Sequence, residues 1–422
     1  MMEGWKQITI GDLGKVVTGN TPPKKDPANY GGEYPFIKPT DMEIDRRHVT
    51  EWEENYSEKA FSRYHRSYIP PKATGVVTIG TVGEKLFQAD RWCFTNQSVN
   101  VVIPHKEFFD PDFVYYVLKV NLPKVENANP GTASGRHHVS KSNFCAIKIL
   151  VPESKETQRK IASILSAYDD LIENNLKRIK LLEEKAQLTY EEWFVRMKFP
   201  GHETSSFNKA TGLPEGWEKK KIGDLCTVSG GGTPSKAISE YWDNGSITWF
   251  SPTDLSKSGS LIQLDSESKI TGLGLQKSSA KVLQPNSFMM TSRATIGLFG
   301  IIDKPFSTNQ GFINVTPNEN FEKEYLIYNF KYNIQLFIKY ATGATFLEIS
   351  KSVFKKIKIN WPTIPLIKSF NEIVSPIHKE MLSLTKQNQL LKEARDILLP
   401  RLMTGVIDVD HIQLENLQPT ST

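Results

Sequence analysis

Cysteine is scarce in this 422-residue chain. Cys93, Cys145 and Cys226 are too few and too scattered for a disulfide framework, and no Cys-x-x-Cys spacing occurs. A reducing compartment fits that usage. Histidine is also sparse, with eight residues and one adjacent pair, His137-His138. Two neighbouring imidazoles on a loop make a poor metal site without further ligands, so no metal site is expected. No apolar run approaches the ~18 residues of a membrane span. The first ten residues lack the apolar core of a secretory signal. The expected location is the cytoplasm. A strong charge imbalance is missing too: 52 basic against 47 acidic residues leave +5, which alone reads as solubility. The excess is uneven, however. Residues 1–152 carry 19 basic against 17 acidic residues and residues 215–362 carry 17 against 13, while the segments after each block are balanced.

Catalytic motifs are lacking as well. Gly230-Gly231-Gly232-Thr233-Pro234 is not followed by Gly-Lys-Ser/Thr, so a P-loop is excluded there. Asn129-Pro130-Gly131 lacks the aromatic residue of an adenine-methyltransferase tetrapeptide. Asp112 with Glu153 and Lys155 imitates nuclease spacing, but Glu153 follows Pro152 at a helix start, where an acid favours the helix dipole. No catalytic residue is assigned.

What the chain does have is a duplication. Gly4-Trp5 recurs as Gly216-Trp217, Ile10-Gly11-Asp12-Leu13 as Ile222-Gly223-Asp224-Leu225, and Thr21-Pro22 as Thr233-Pro234. Pro39-Thr40-Asp41 matches Pro252-Thr253-Asp254, Thr95-Asn96-Gln97 matches Thr308-Asn309-Gln310, and Ser140-Lys141-Ser142 matches Ser350-Lys351-Ser352. A collinear series with a slowly drifting offset marks two copies of one unit, too long for a solenoid repeat.

Each copy opens with β-rich runs, such as 75–79 and 98–103, and helical stretches at 112–120 and 324–340. This predicts an α+β domain. Each then turns to a heptad. One seam row is Ile161, Tyr168, Asn175, Leu182, Thr189 and the other Leu165, Ile172, Ile179, Ala186, Trp193, with charges including Asp169 and Asp170 outside. The second copy repeats this from Phe370 and Val374. Pro376 predicts a kink, or a restart capped by Ser375. The expected architecture is two homologous globular domains joined by two long antiparallel helices, an intramolecular coiled coil with pseudo-two-fold duplication. Separate packing of each helix on its own domain is the alternative. The expected boundaries are 1–152 and 215–362 for the domains, 153–198 and 363–404 for the helices, 199–214 for a linker and 405–422 for a tail.

Helices of this length suit two readers spaced like successive major-groove faces of DNA. Candidate DNA-contacting residues are the amides, hydroxyls and cations of the repeated loops, the types that read base edges and phosphates. They are Lys38, Thr40, Arg91, Asn96, Gln97, Arg136, His137, His138 and Lys141 in the first copy. In the second they are Thr253, Ser292, Arg293, Asn309, Gln310, Thr345 and Lys351. Residues shared by both copies can equally be framework, with Thr-Asn-Gln holding a turn and Pro-Thr-Asp or Ser-Lys-Ser capping one. Divergent loops, 131–138 against 341–348, are the better place for sequence-specific contact.

The chain resembles the specificity subunit of a type I restriction–modification system over nearly its whole length. The resemblance is carried by Gly231-Gly232-Thr233-Pro234, Ala294-Thr295-Ile296-Gly297 and Thr308-Asn309-Gln310-Gly311. The Trp193-Phe194-Val195 to Phe199-Pro200-Gly201-His202-Glu203 junction and the Leu398-Leu399-Pro400-Arg401-Leu402 tail add to it. It implies two target-recognition domains, each reading half of a split asymmetric DNA site, and helices that set the gap. It also implies two adenine methyltransferase subunits as partners, which bind S-adenosylmethionine, and a restriction motor-nuclease that uses ATP and Mg. The subunit itself would bind no cofactor and catalyse nothing. A scaffold that binds DNA without regard to sequence, or a self-contained nuclease or methyltransferase, are the competing readings.

Overall fold

The computed structural model describes residues 4–128, 137–343 and 345–411. The chain divides into two compact units. One is Met1–Asn174 with Asn388–Thr422 and the other is Asn175–Gln387. The first unit therefore unites both ends of the chain.

Both units contain the same three sheets. In the first, Trp5–Thr9 pairs antiparallel with Lys148–Pro152. Gly14–Thr18, Val99–Pro104, Thr74–Val77 and Leu86–Gln88 follow one another across an antiparallel four-stranded sheet. Glu54–Tyr56, Tyr30–Ile37 and Phe94–Thr95 make a three-stranded sheet whose last pair is parallel. The second unit repeats each sheet. Glu218–Lys221 pairs with Lys358–Trp361. Cys226–Gly230, Phe312–Pro317, Phe288–Thr291 and Phe299–Gly300 form the four-stranded sheet. Ser268–Ile270, Ile247–Phe250 and Ser307–Thr308 form the three-stranded one, again closing on a parallel pair. The expected α+β duplication is thus present strand for strand. Central strands are apolar on both faces: Val99, Val101 and Val102 are all buried, as are Phe312, Ile313 and Val315. Buried Asn100 is satisfied by Thr18 (2.6 Å) and Thr78 (3.0 Å), as a buried amide must be.

Helix Pro111–Val120 starts on Asp110, whose carboxylate accepts the Asp112 and Phe113 N–H groups. Its counterpart, expected as one helix over 324–340, is two: Lys323–Tyr332 and Ile334–Tyr340. Asn333 makes the break by donating its amide to the Asn329 carbonyl at 2.8 Å. Asn121 does the same to Val117 at 2.7 Å in the first unit. An amide that competes for a carbonyl four residues back ends a helix without disturbing its apolar period.

The long helices run over Lys155–Tyr190, closing in a π turn at Glu191–Val195, and over Ile364–Met403. Inside each unit a segment of one lies antiparallel to a segment of the other. In the first unit Asp169 bonds Arg395 and the Ile172 carbonyl bonds Asn388. In the second Asn175 bonds Gln387 and Arg178 bonds Glu380. One number falls as the other rises, so the paired-helix expectation holds and separate packing does not. Leu165, Ile172, Ile179 and Ala186 of one row and Ile161 and Asn175 of the other are buried, whereas Trp193, Tyr168, Leu182 and Thr189 are only half-buried. One expectation fails. Asp169, placed outside by the heptad, is 2% exposed because an arginine meets it across the seam. Pro376 does not restart the second helix, which continues through it. The proline ring is exposed, and buried Val374 and Ile377 hold the turn on either side. Among the described residues no helix is long and apolar enough to cross a membrane.

Candidate nucleic-acid interface

Two motifs that lie far apart in sequence form one structural node, present in both units. Gly19 and Gly231 rest so closely on the carbonyls of Thr95 and Thr308 that a Cβ would stand 2.1 Å from each oxygen. Only glycine allows that approach. The next residue then donates its N–H to the same carbonyl at 2.9 Å, Asn20 to Thr95 and Gly232 to Thr308. One residue further on, the hydroxyls of Thr21 and Thr233 donate to the side-chain oxygens of Gln97 and Gln310. Asn96 and Asn309 accept the backbone N–H two residues on, from Ser98 at 3.0 Å and Gly311 at 2.8 Å. The glycine-rich run at 230–234 is therefore a closely packed turn. All four amides have their oxygens engaged within the protein. The group each offers a ligand is an NH2 donor.

In the second unit this node opens into a cavity lined by Pro252, Arg293, Ala294, Asn309, Gln310 and Phe346. Its far wall is a short ladder: Arg293 bridges Glu348, and Ala294 donates its N–H to the Leu347 carbonyl at 3.0 Å. Phe346 is 58% exposed there. Ala294 carries a left-handed φ of +60°, a strained conformation for a residue with a side chain. In the first unit Ile79 bridges His138 and Gly80 donates to the His137 carbonyl at 3.1 Å. Arg293 thus stands where the first unit has Ile79, and Leu347-Glu348 stand where it has His137-His138. The cation and the loop have exchanged character. Cationic Arg293 faces a Phe-Leu-Glu loop in one unit, and aliphatic Ile79 faces His137-His138 in the other. Arg136, expected beside them, lies outside the described residues, while His137 and His138 are exposed.

The remaining candidates separate by their partners. Thr40, Thr253 and Thr345 are exposed. The aspartates after Thr40 and Thr253 hold the turn: Asp41 accepts the Lys38 N–H and Asp254 the Ser251 N–H, each at 2.7 Å. Lys38 is clamped by Glu53 (2.7 Å) and Glu54 (3.3 Å). Burial works against its charge, but the two glutamates prevail and raise its pKa. Arg91 forms a two-armed pair with Asp90 (2.9 and 2.7 Å) and stacks over Trp52. Lys141 and Lys351 are exposed at the first position of six-residue helices, each capped by the preceding serine. Ser292 departs from expectation. It is 3% exposed, and its backbone bridges Gly311 and Ile349, so it belongs to the wall of the site and not its surface. Sequence reasoning missed Phe346, Thr21 and Thr233. The recurrence of Thr21 and Thr233 at one offset was their signal, and that of Phe346 was its place in the divergent loop 341–348.

Both long helices carry exposed leucines and isoleucines on their outer faces. In the first unit these are Leu171, Leu390 and Ile397, each more than half exposed. In the second, Leu181 and Leu188 are likewise exposed and line a shallow groove with Trp193.

The type I restriction modification DNA specificity domain matches this chain twice, over residues 2–184 and 214–392. A type I restriction enzyme specificity subunit from Methanocaldococcus jannaschii, MjaIX, is 28% identical, covering 97% of this chain and 94% of its own length. The HindI specificity subunit from Haemophilus influenzae is 25% identical over 73% of this chain and 80% of its own length. A type I restriction–modification S subunit from M. genitalium shares the fold, with a TM-score of 0.58 at 16% identity over 94% of this chain and 96% of its own.

Proposed function

The chain belongs to the type I restriction–modification DNA specificity family, and from that premise we infer which of its surfaces meet DNA and which meet other subunits. The family is one of DNA recognition, with two specificity domains in this chain. The observation that supports a residue-level reading is the split between shared and divergent parts of the site.

The shared node presents the same amide donors in both units, from Asn96 and Gln97 and from Asn309 and Gln310. Two readers of different sequences cannot be told apart by identical groups. These amides therefore suit the phosphate backbone, which positions a protein without specifying bases. The divergent rim suits base edges. Arg293 is a donor-only fork that matches the two acceptors of guanine, and Phe346 offers an apolar face beside it. In the first unit His137, His138 and Arg136 take that role. Lys141 and Lys351 complete the backbone contacts. Lys38 and Arg91, committed to acidic partners, contribute little. The domain boundaries of this reading are 1–152 and 215–362.

The finer partnership is part of the same proposal. The exposed leucine faces of the helices dock two adenine methyltransferase subunits, which bind S-adenosylmethionine. A restriction subunit using ATP and Mg joins them. This chain contributes recognition and no chemistry.

Mapping N6-methyladenine across the genome of the source cell, with and without this gene, tests the whole reading. Loss of one split, asymmetric methylated motif on deletion is the expected result. Reintroducing Arg293→Ala relaxes a single position in one half of that motif, at about 1–3 kcal/mol for the lost contact. A methylation map that does not change on deletion, with the partner subunits expressed, counts against the reading and favours a scaffold role.

A further inference from the structure

A protein built from two copies of one unit faces a pairing ambiguity. Its first long helix resembles its second, so two chains could pair first helix with first and second with second. One buried cluster in the first unit bears directly on this. Asp169, 2% exposed, accepts the Tyr116 hydroxyl at 2.7 Å and Arg395 Nη1 at 2.6 Å. Arg395 is fully buried, and its other contacts are Asp396 at 2.8 Å and Asp45 at 3.4 Å. Burial opposes its charge, but Asp169 and Asp396 overcome that and raise its pKa further.

The duplication supplies the comparison. The seam rows that start at Ile161 and Leu165 restart at Phe370 and Val374. In that register Asp169 corresponds to His378, and Arg395 corresponds to Ala186. Tyr116 corresponds to Tyr328. In the second unit the Tyr328 hydroxyl meets His378 Nε2 at 2.9 Å, and Ala186 is fully buried. The same tyrosine thus meets an acid in one unit and an imidazole in the other. The facing position is arginine in the first case and alanine in the second. Asn388, which donates to the Ile172 carbonyl at 3.4 Å in the first unit, corresponds to Ile179.

We propose that Asp169 with Arg395, and His378 with Ala186, are a matched pair of nodes that select first-with-second helix pairing and reject like-with-like pairing between two copies of this chain. In first-with-first pairing, Asp169 would be buried against Ala186 with its arginine gone. In second-with-second pairing, Arg395 would be buried against His378, with Asp169 gone and only the half-exposed Asp396 of its own helix beside it. A buried charge stripped of its partner is strongly destabilising, even where the intact pair adds little net stability. A single polar seam position that fixes partner and register is an established use of such groups. The proposal does not depend on what the domains bind.

Moving half of a node should therefore change the partner. In the full-length double variant A186R/R395A, Asp169 faces alanine within one chain but meets the introduced guanidinium across two chains. Its expected behaviour is a melting temperature several degrees lower and a mass by light scattering shifted toward twice that of the parent. The double variant D169H/H378D leaves Arg395 facing histidine, and its melting temperature falls likewise. The quadruple variant A186R/R395A/D169H/H378D transplants the whole node to the other unit. Its expected mass is that of the parent, with at least half of the lost melting temperature regained. The quadruple also guards against doubles that fail to fold. A parent-like mass and melting temperature in A186R/R395A overturns the proposal, as does a quadruple variant no better than the doubles.

Discussion

Ala294 sits at φ +60° where the matching residue of the first unit, Gly80, sits at +88°. An L-residue held there costs roughly 1–2 kcal/mol. Ala294→Gly should raise stability by about 1 kcal/mol, allowing for the extra chain entropy of glycine, as read by urea unfolding. Three residues on, Gly297 has φ +98° and a Cβ there would stand 2.4 Å from Ile334 Cδ1. Gly297→Ala should lose stability by about 1–3 kcal/mol or more. A contrast of sign within four residues is a sharp check on the loop that carries Arg293. Asp265 offers a second residue-scale prediction. Burial would raise its pKa, but hydrogen bonds from Lys269, the Ser266 N–H and Lys304 bring it down to about 2. A folded pKa below the unfolded value contributes stability that is complete above about pH 4 and is lost as pH falls toward 2. Carboxyl NMR titration should place Asp265 near pH 2, and Lys304→Ala should move it upward. At this scale the sequence was legible where residues recur. Trp5, Trp217, Ile10 and Leu13 are buried as their repetition implied. Ser292 was misplaced because an isolated serine beside an arginine gives no sign of which face of the chain it lies on.

Among the elements, the two long helices were the most readable, because a heptad with five successive seam positions in each row has one geometric meaning. Their charged seam was not. Asp169 meets Arg395 across 226 residues of sequence, and a period assigns faces without saying what lies opposite. The break at Asn333 was hidden for a related reason, since an amide that bonds its own helix leaves the apolar spacing intact. Pro376 is the informative misfit. It lies exposed inside a 40-residue helix and denies it one backbone hydrogen bond. A proline in a helix interior costs up to ~3 kcal/mol relative to alanine. Pro376→Ala should therefore raise the melting temperature, with a gain of about 1–3 kcal/mol because neighbouring packing has absorbed part of the cost. A fall in melting temperature would show that the helix depends on the proline's shape.

For the molecule as a whole, the duplication and the family were legible, because collinear motifs survive divergence of everything between them. The candidate site was half legible. Shared residues announced themselves and proved to be one hydrogen-bonded node. The divergent loops were visible too, but that Arg293 answers to Ile79 emerged only from strand pairing. A protein cut after Gln387 should retain a protease-resistant second unit and lose the first, as limited proteolysis with mass spectrometry would record. Survival of both units intact would contradict the division of the chain.

That division also sets an order of events during synthesis. Residues 175–387 hold everything the second unit needs. The first unit packs Trp5, Ile161 and Leu165 in one core with Leu399, Leu402 and Met403. The ribosome makes the beginning of that core first and its end last, at ~5–20 residues per second. For the better part of a minute the earliest residues must wait with apolar surface uncovered. The half of the protein that is born first is the half whose core closes last.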